Sequence, residues 1–120
     1  PAAPRGDARR GRRLLMPMRF AERLEPLLAA PGVLCALVVA REDGIVVEGN
    51  GHVGVDTDAV AALAASLYAR AAGFLHLEGE AGRLCIVPRG DLLLVTVAEP
   101  HANLGLLRLA MRRQADALAG

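Results

Sequence analysis

The strongest pattern in the chain is a run of seven mostly apolar residues at 92–98, followed by a short turn and an amphipathic helix. A strand that is apolar on both sides has to be covered on both faces, so we expect it at the centre of a sheet. The helix after it carries an apolar stripe at steps of three and four residues. The stripe consists of Leu104, Leu107, Met111, Ala115 and Leu118. We therefore predict a central strand with a long closing helix packed on it.

Two apolar runs upstream predict a β-hairpin. Residues 33–40 and 45–49 flank a turn that contains Asp43-Gly44, and Asp-Gly between apolar runs is typical of a tight hairpin turn. Before the hairpin, the spacing of apolar residues predicts a helix over 18–30. Pro26 lies inside that helix, where we expect it to break or kink the backbone.

Alternation of side chains predicts an edge strand later in the chain. Residues 74–80 alternate Phe74, His76 and Glu78 against two leucines, a pattern typical of a half-exposed strand. A further strand is predicted over 83–88, directly before the central one. The element order is then helix, two strands, helix, three strands, helix, which indicates an α+β sandwich.

The helix predicted over 57–72 is unusual because it is apolar nearly all round. Its expected core stripe is Val60, Leu63, Ala64, Leu67 and Ala71. The opposite side, which should be polar, holds Ala62, Ala65, Ser66 and Ala69. A helix that is apolar all round is buried all round, so we predict that a second helix packs there. The alternative is that alanine is present only because it is a good helix former. Asp56 or Thr57 is expected to cap the helix.

Charge separates an amino-terminal arm from the rest of the chain. Residues 1–13 hold five arginines and one aspartate, a charge of +4, and the remaining residues carry −3, which together give the net +1. We interpret residues 1–17 as a disordered arm and 18–120 as one domain. For the arm, we favour a solvated tail over an anchor for an anionic membrane. Two Phe, one Tyr and no Trp are too few for stacking on bases, so we predict no nucleic-acid partner. With no transmembrane run and no signal peptide, we expect a cytoplasmic protein.

The residue types that carry catalysis are sparse. The chain has no lysine, which excludes a P-loop or a Schiff base, and its single serine, Ser66, lies inside a predicted helix. The three histidines have no metal-ligand spacing. Cys35 and Cys85 lie in apolar runs and are expected to be buried thiols, although one of them could meet His76 across the sheet. We predict a protein without catalytic activity, metal or cofactor.

Several short sequence stretches, taken in their order along the chain, resemble the Roadblock family. These are the dynein-light-chain-related domains that also occur in bacteria beside small Ras-like GTPases. The matching stretches are Pro31-Gly32-Val33, Asp43-Gly44, the alanine-rich stretch 61–67 and the stretch 102–108. The resemblance covers about residues 18–119. It implies a profilin/longin-like fold with a five-stranded antiparallel sheet in the order 2-1-5-4-3. The middle helix would lie on one face of this sheet and the terminal helices on the other.

The resemblance also implies a function. Members of the family dimerise through the third strand and the middle helix, and the gliding-polarity members remodel a small Ras-like GTPase without supplying a catalytic arginine. We therefore expect a homodimeric regulator or scaffold of such a GTPase in bacterial signalling or polarity. The expected dimer and partner interface comprises Ala62, Ala65, Ser66, Ala69, Arg70, Phe74, His76 and Glu78.

Two other classes of function stay open. A purely structural dimeric adaptor would use the same dimer without altering GTP turnover. A profilin-like module would bind a small ligand in a pocket, but the chain lacks the aromatic and convergent polar residues that such pockets need.

Overall fold

A computed structural model of the protein describes residues 17–52, 54–80 and 82–119, so the predicted arm up to residue 16 lies outside the described residues. The helices are α1 (Pro17–Leu28), α2 (Thr57–Tyr68) and α3 (Leu104–Ala119). The strands are β1 (Val33–Ala40), β2 (Val46–Gly51), β3 (Leu75–Gly79), β4 (Gly82–Arg89) and β5 (Leu92–Ala98). The predicted order of elements is confirmed.

The five strands form one antiparallel sheet in the order β2-β1-β5-β4-β3. The strand predicted to be central, β5, pairs with β1 on one side and β4 on the other. Its position follows from its composition, because a strand that is apolar on both faces loses most if either face meets water. The strand predicted to lie at an edge, β3, is at the end of the sheet.

The sheet separates two apolar cores. One core lies under α1 and α3 and includes Leu24, Leu27, Leu94, Leu107 and Met111. The other lies under α2 and includes Leu37, Ala61, Ala64, Tyr68 and Leu93. The implied arrangement, with the middle helix on one face and the terminal helices on the other, is confirmed.

The apolar stripe of α3 packs as predicted. Leu107, Met111 and Ala115 are buried, while Leu104 and Leu118 are partly buried against the same core. Thr96 is fully buried at the centre of β5, and its hydroxyl donates to the Met111 sulfur at 3.2 Å. This bond gives a buried polar group a partner where water cannot reach it.

The predicted break at Pro26 does not occur, because α1 continues through it to Leu28. Proline removes the hydrogen bond to the carbonyl four residues earlier, here that of Glu22. Both Pro26 and Glu22 are exposed, so water can satisfy that carbonyl. The helix ends at Leu28, two residues after the proline, and the Ala29 amide still bonds to the Glu25 carbonyl at 3.0 Å.

The predicted core stripe of α2 is correct in part, because Ala64 is buried and Val60 and Ala71 pack against the same core. Leu63 is 53% exposed instead, and Ala61 and Tyr68 take buried positions that were not predicted. Ala65, predicted to face outward, is half-buried against the core instead. Because nearly every position of α2 is apolar, periodicity alone cannot define the inward face, and the large Tyr68 side chain takes the buried position.

The two cysteines are free and fully buried. Cys35 lies on β1 and Cys85 on β4, so β5 separates them. They also belong to different cores, one on each face of the sheet. The expectation that both are buried thiols is confirmed.

Candidate partner-binding surface

The outer face of α2 is an apolar surface on the protein. Ala62, Leu63 and Ser66 are exposed along it, and Ala69 and Arg70 continue the exposed surface past the end of the helix. The outward side of a solvated helix normally carries charges, yet the acidic Asp58 in the first turn is the only charged residue inside α2. We define Ala62, Leu63, Ser66, Ala69 and Arg70 as the α2 surface.

Local contacts at both ends hold α2 on the sheet. At its start, the Asp56 side chain accepts a hydrogen bond from the Ala59 amide at 3.0 Å, which confirms Asp56 as the cap. At its end, the Tyr68 hydroxyl donates to the Gly73 carbonyl at 3.0 Å. The Arg41 guanidinium lies over the Tyr68 ring, 5.1 Å from its centroid. The α2 surface is therefore presented by a helix whose two ends are fixed.

The outer edge of β3 is a second free surface on the protein. β3 pairs with β4 on one side, and no strand of the described chain pairs with its other side. Leu77 on this strand is 41% exposed. An edge strand with unpaired backbone groups and an exposed leucine is a template for pairing with another chain.

Phe74, His76 and Glu78 were predicted to lie in the interface. In the structure, each of them either has a partner within the chain or is partly buried. The Phe74 ring lies under the Arg108 guanidinium of α3, with 4.7 Å to its centroid. Glu78 forms an ion pair with Arg83 of β4 at 3.1 Å. His76 is half-buried. Phe74 thus belongs to the α3 side of the sheet, which the sequence pattern did not indicate.

His76 lies directly opposite Cys85 in the register of β3 and β4. The possibility that a cysteine meets His76 across the sheet is therefore realised, and the histidine Nε2 is buried without a hydrogen-bond partner in the described chain. Burial raises the pKa of the Cys85 thiol, against smaller opposite effects of Thr96 and Arg83. A raised pKa disfavours the thiolate that a nucleophilic cysteine needs, so this pair lacks the activation of a catalytic dyad.

The described part of the chain contains no group of three or more His, Cys, Asp and Glu side chains that could hold a metal ion. Among the described helices, none is long and apolar enough to cross a bilayer. An apolar recess of about 500 Å³ lies where the turn after α1 meets the start of α3, lined by residues such as Pro31, Ala102 and Leu106.

Sequence reasoning missed two residues of this surface. Leu63 was assigned to the core, and Leu77 was treated only as part of an alternating strand. The large Tyr68 side chain could have indicated that Leu63 is exposed. The two residues lie on different sides of the helix, so both cannot face the sheet. For Leu77 the signal was its place on an edge strand.

The topology and the distribution of helices over the two faces define a Roadblock/LC7-type domain. A Roadblock/LC7 domain from Streptomyces avermitilis has a TM-score of 0.67 and 26% identity over 79% of this chain and 93% of its own. The gliding protein MglB from Thermus thermophilus has a TM-score of 0.75 and 26% identity over 85% of this chain and 87% of its own. An MglB structure with a tetrameric arrangement has a TM-score of 0.76 and 28% identity over 85% and 86%.

A relative identified by its sequence also matches most of the chain. An uncharacterised protein of Methanocaldococcus jannaschii is 32% identical over an alignment of 96 positions that covers 71% of this chain and 83% of the relative. No protein-family model matches the chain. The chain is a Roadblock-type domain related to the gliding protein MglB.

Proposed function

We propose that this chain is a homodimeric regulator or scaffold of a small Ras-like GTPase in signalling or cell polarity, without catalytic activity of its own. The relationship to the gliding protein MglB supports the regulatory class. The observation that carries the proposal is the apolar outer face of α2, with Leu63 53% exposed among small residues.

The composition of the α2 surface suits contact between two helices. Ala62, Ser66 and Ala69 are small, so a second helix can approach closely, and Leu63 supplies the apolar area. Burying a leucine completely stabilises an association by about 2 kcal/mol. Since Leu63 is already about half covered in the monomer, each copy would contribute roughly half of that.

The edge of β3 supplies the second half of the proposed dimer. Pairing with the β3 of another copy would satisfy the free backbone groups and cover Leu77. A twofold axis between the strands would bring the same residues of both copies together, as closed dimers require. The other residues of the α2 surface and the β3 edge would then be shared by the dimer, leaving Arg70, just past the end of α2, for the GTPase.

Light scattering on the full chain tests the dimer. We expect a mass near twice 12.5 kDa. Leu63→Glu should yield the monomer, because a charge would be buried between the helices. Leu106→Glu is the matched control, since Leu106 is 65% exposed on α3 on the other face of the sheet. A wild-type monomer at high concentration, or equal effects of both substitutions, would contradict the proposal.

GTP turnover then tests the role towards the GTPase. The rate is measured for the small Ras-like GTPase of the same genome, alone and with the wild-type dimer. A changed rate supports a regulator. Binding without a change in rate leaves the scaffold half of the proposal, and absence of binding overturns the GTPase assignment.

A further inference from the structure

A cleft rich in arginine lies between α3 and the ends of β3 and β4. Its volume is about 610 Å³. We call it the basic cleft and define it by Arg89, Arg108, Arg112, Arg113, Phe74 and Leu109. Among the described residues that line it, Asp116 is the one acidic residue, so four arginines against a single carboxylate leave a charge of +3.

Two of the four arginines are held in place by neighbours. Arg89 donates to the Ala115 carbonyl at 3.0 Å and forms an ion pair with Asp116. Arg108 stacks on Phe74. Stacking occupies the face of a guanidinium and leaves its N–H groups, which point along the plane, free to donate.

The other two arginines have no ion pair or hydrogen bond within the described chain. Arg112 and Arg113 follow one another on α3 and are exposed. The carboxylate nearest to them in the lining, Asp116, is already paired with Arg89. Positive charges that lie this close together repel each other unless an anion lies between them. The cleft is therefore electrostatically complementary to a negatively charged ligand.

The cleft is also partly apolar. Leu109 is 49% exposed, and Phe74, Val87 and Pro88 form its floor on the sheet side. A ligand that matches both properties carries negative charges around at least one apolar group. Arginine is well suited to such a ligand because its planar fork binds carboxylates through two hydrogen bonds.

We infer that the basic cleft binds a short acidic segment of a partner protein, with Asp or Glu side chains flanking one apolar residue. The volume lies in the range of clefts that enclose a small ligand, so it accepts a few side chains and not a folded domain. A flat bilayer would not reach Arg89 and Phe74, which line the sheet side of the cleft. Nucleic acid is disfavoured because the Phe74 ring, the one aromatic ring in the lining, is covered by Arg108.

This inference does not depend on the proposed function. The basic cleft opens on the α3 face of the sheet, whereas the α2 surface lies on the opposite face. A protein with both could hold a GTPase on one face and an acidic segment of another protein on the other. The two surfaces can therefore be tested separately.

Fluorescence anisotropy tests the cleft directly. The probe is a fluorescein-labelled peptide in which four glutamates flank a single leucine, titrated with the full chain at low salt. We expect saturable binding that weakens as salt is added, because screening reduces the attraction between charges. Arg112→Glu should weaken binding about tenfold or more, as expected when charge-assisted hydrogen bonds are lost and a repulsive charge is added.

Arg70→Glu is the matched control. It makes the same change of charge at an exposed position on the other face, and we expect affinity for the peptide to stay within about twofold. Arg112 is exposed, so its substitution should leave the thermal unfolding temperature unchanged. Equal losses for the two variants, or no binding of the peptide at low salt, would overturn the inference. So would Arg112-dependent binding to vesicles containing phosphatidylserine in the absence of peptide binding, which would assign the cleft to a membrane.

Discussion

The Tyr68 hydroxyl donates to the Gly73 carbonyl at 3.0 Å and thereby joins the end of α2 to the loop that enters β3. Tyr68 is only 2% exposed and Gly73 is exposed, so this bond is partly shielded from water. The positive φ of Gly73, 73°, turns the chain back toward the tyrosine. One side chain thus fixes the relative position of the two elements that we propose for the dimer contact.

Replacing this tyrosine tests that role. Tyr68→Phe removes the hydroxyl but keeps the ring and its contact with Arg41, so we expect a loss of about 1 kcal/mol in the free energy of unfolding. Urea denaturation followed by circular dichroism measures it. Tyr68→Ala is the contrasting variant, for which we expect about 3–5 kcal/mol because a buried aromatic ring is lost. An unchanged stability of Tyr68→Phe would show that the hydrogen bond adds nothing.

The turn between α1 and β1 offers a test of backbone strain with an internal control. Gly32 has a φ of 84°, and a Cβ added there would lie 3.0 Å from the Cβ of Ala102. Gly54 has a similar φ of 94°, but an added Cβ would meet nothing within 4 Å. Both alanine substitutions incur the cost of left-handed backbone, about 1–2 kcal/mol.

Only the substitution at Gly32 adds a steric conflict. We expect Gly32→Ala to be less stable than Gly54→Ala by about 1 kcal/mol or more, since close packing tolerates added methyl groups poorly. Thermal or urea unfolding of the two variants measures the difference. Equal losses of stability for the two variants would mean that Ala102 moves away from the added methyl group without a cost in free energy.

The two buried thiols predict a loss of stability at alkaline pH. Burial is the main cause that raises the pKa of both Cys35 and Cys85 above the ordinary value of 9.0. The folded protein therefore holds these protons more tightly than the unfolded chain does. Their contribution is complete below the unfolded pKa and is lost as pH rises through it toward the folded pKa.

Urea unfolding at pH 7.5 and at about pH 10 measures this effect. We expect the free energy of unfolding to fall more steeply for the wild type than for the Cys35→Ala, Cys85→Ala variant, in which other alkaline titrations are unchanged. The native thiols should also react with iodoacetamide much more slowly than those of the denatured protein. Parallel slopes for the two proteins, or rapid labelling of the native state, would contradict the assignment.

Substitutions on opposite faces distinguish the two proposed surfaces. Arg70→Glu should weaken binding of the small Ras-like GTPase about tenfold, because a charge at the end of the α2 surface is reversed. Arg112→Glu should leave that affinity unchanged while it weakens binding to the acidic peptide about tenfold or more. Isothermal titration calorimetry of both variants with both ligands measures the four affinities. GTPase binding that survives Arg70→Glu would remove this residue from the contact.

Patterns of single residues predicted much of the fold because they report burial directly. The unbroken apolar character of β5 required the centre of the sheet, and the alternation of β3 required an edge. The apolar stripe of α3 was predicted correctly because the charged residues Arg108, Arg112 and Arg113 all lie on the exposed side. In α2 no polar residues mark the boundary, so the same method assigned Leu63 to the wrong face.

The sequence by itself determined the order of elements, the central and edge strands and the burial of the cysteines, since each depends on local pattern and on the transfer of apolar side chains from water. Only the tertiary structure decided which face of α2 is exposed and that Phe74 lies under Arg108. It also decided that Arg89 and Arg112 line one cleft. These relationships join residues that are distant along the chain, and they depend on how helices pack on the finished sheet.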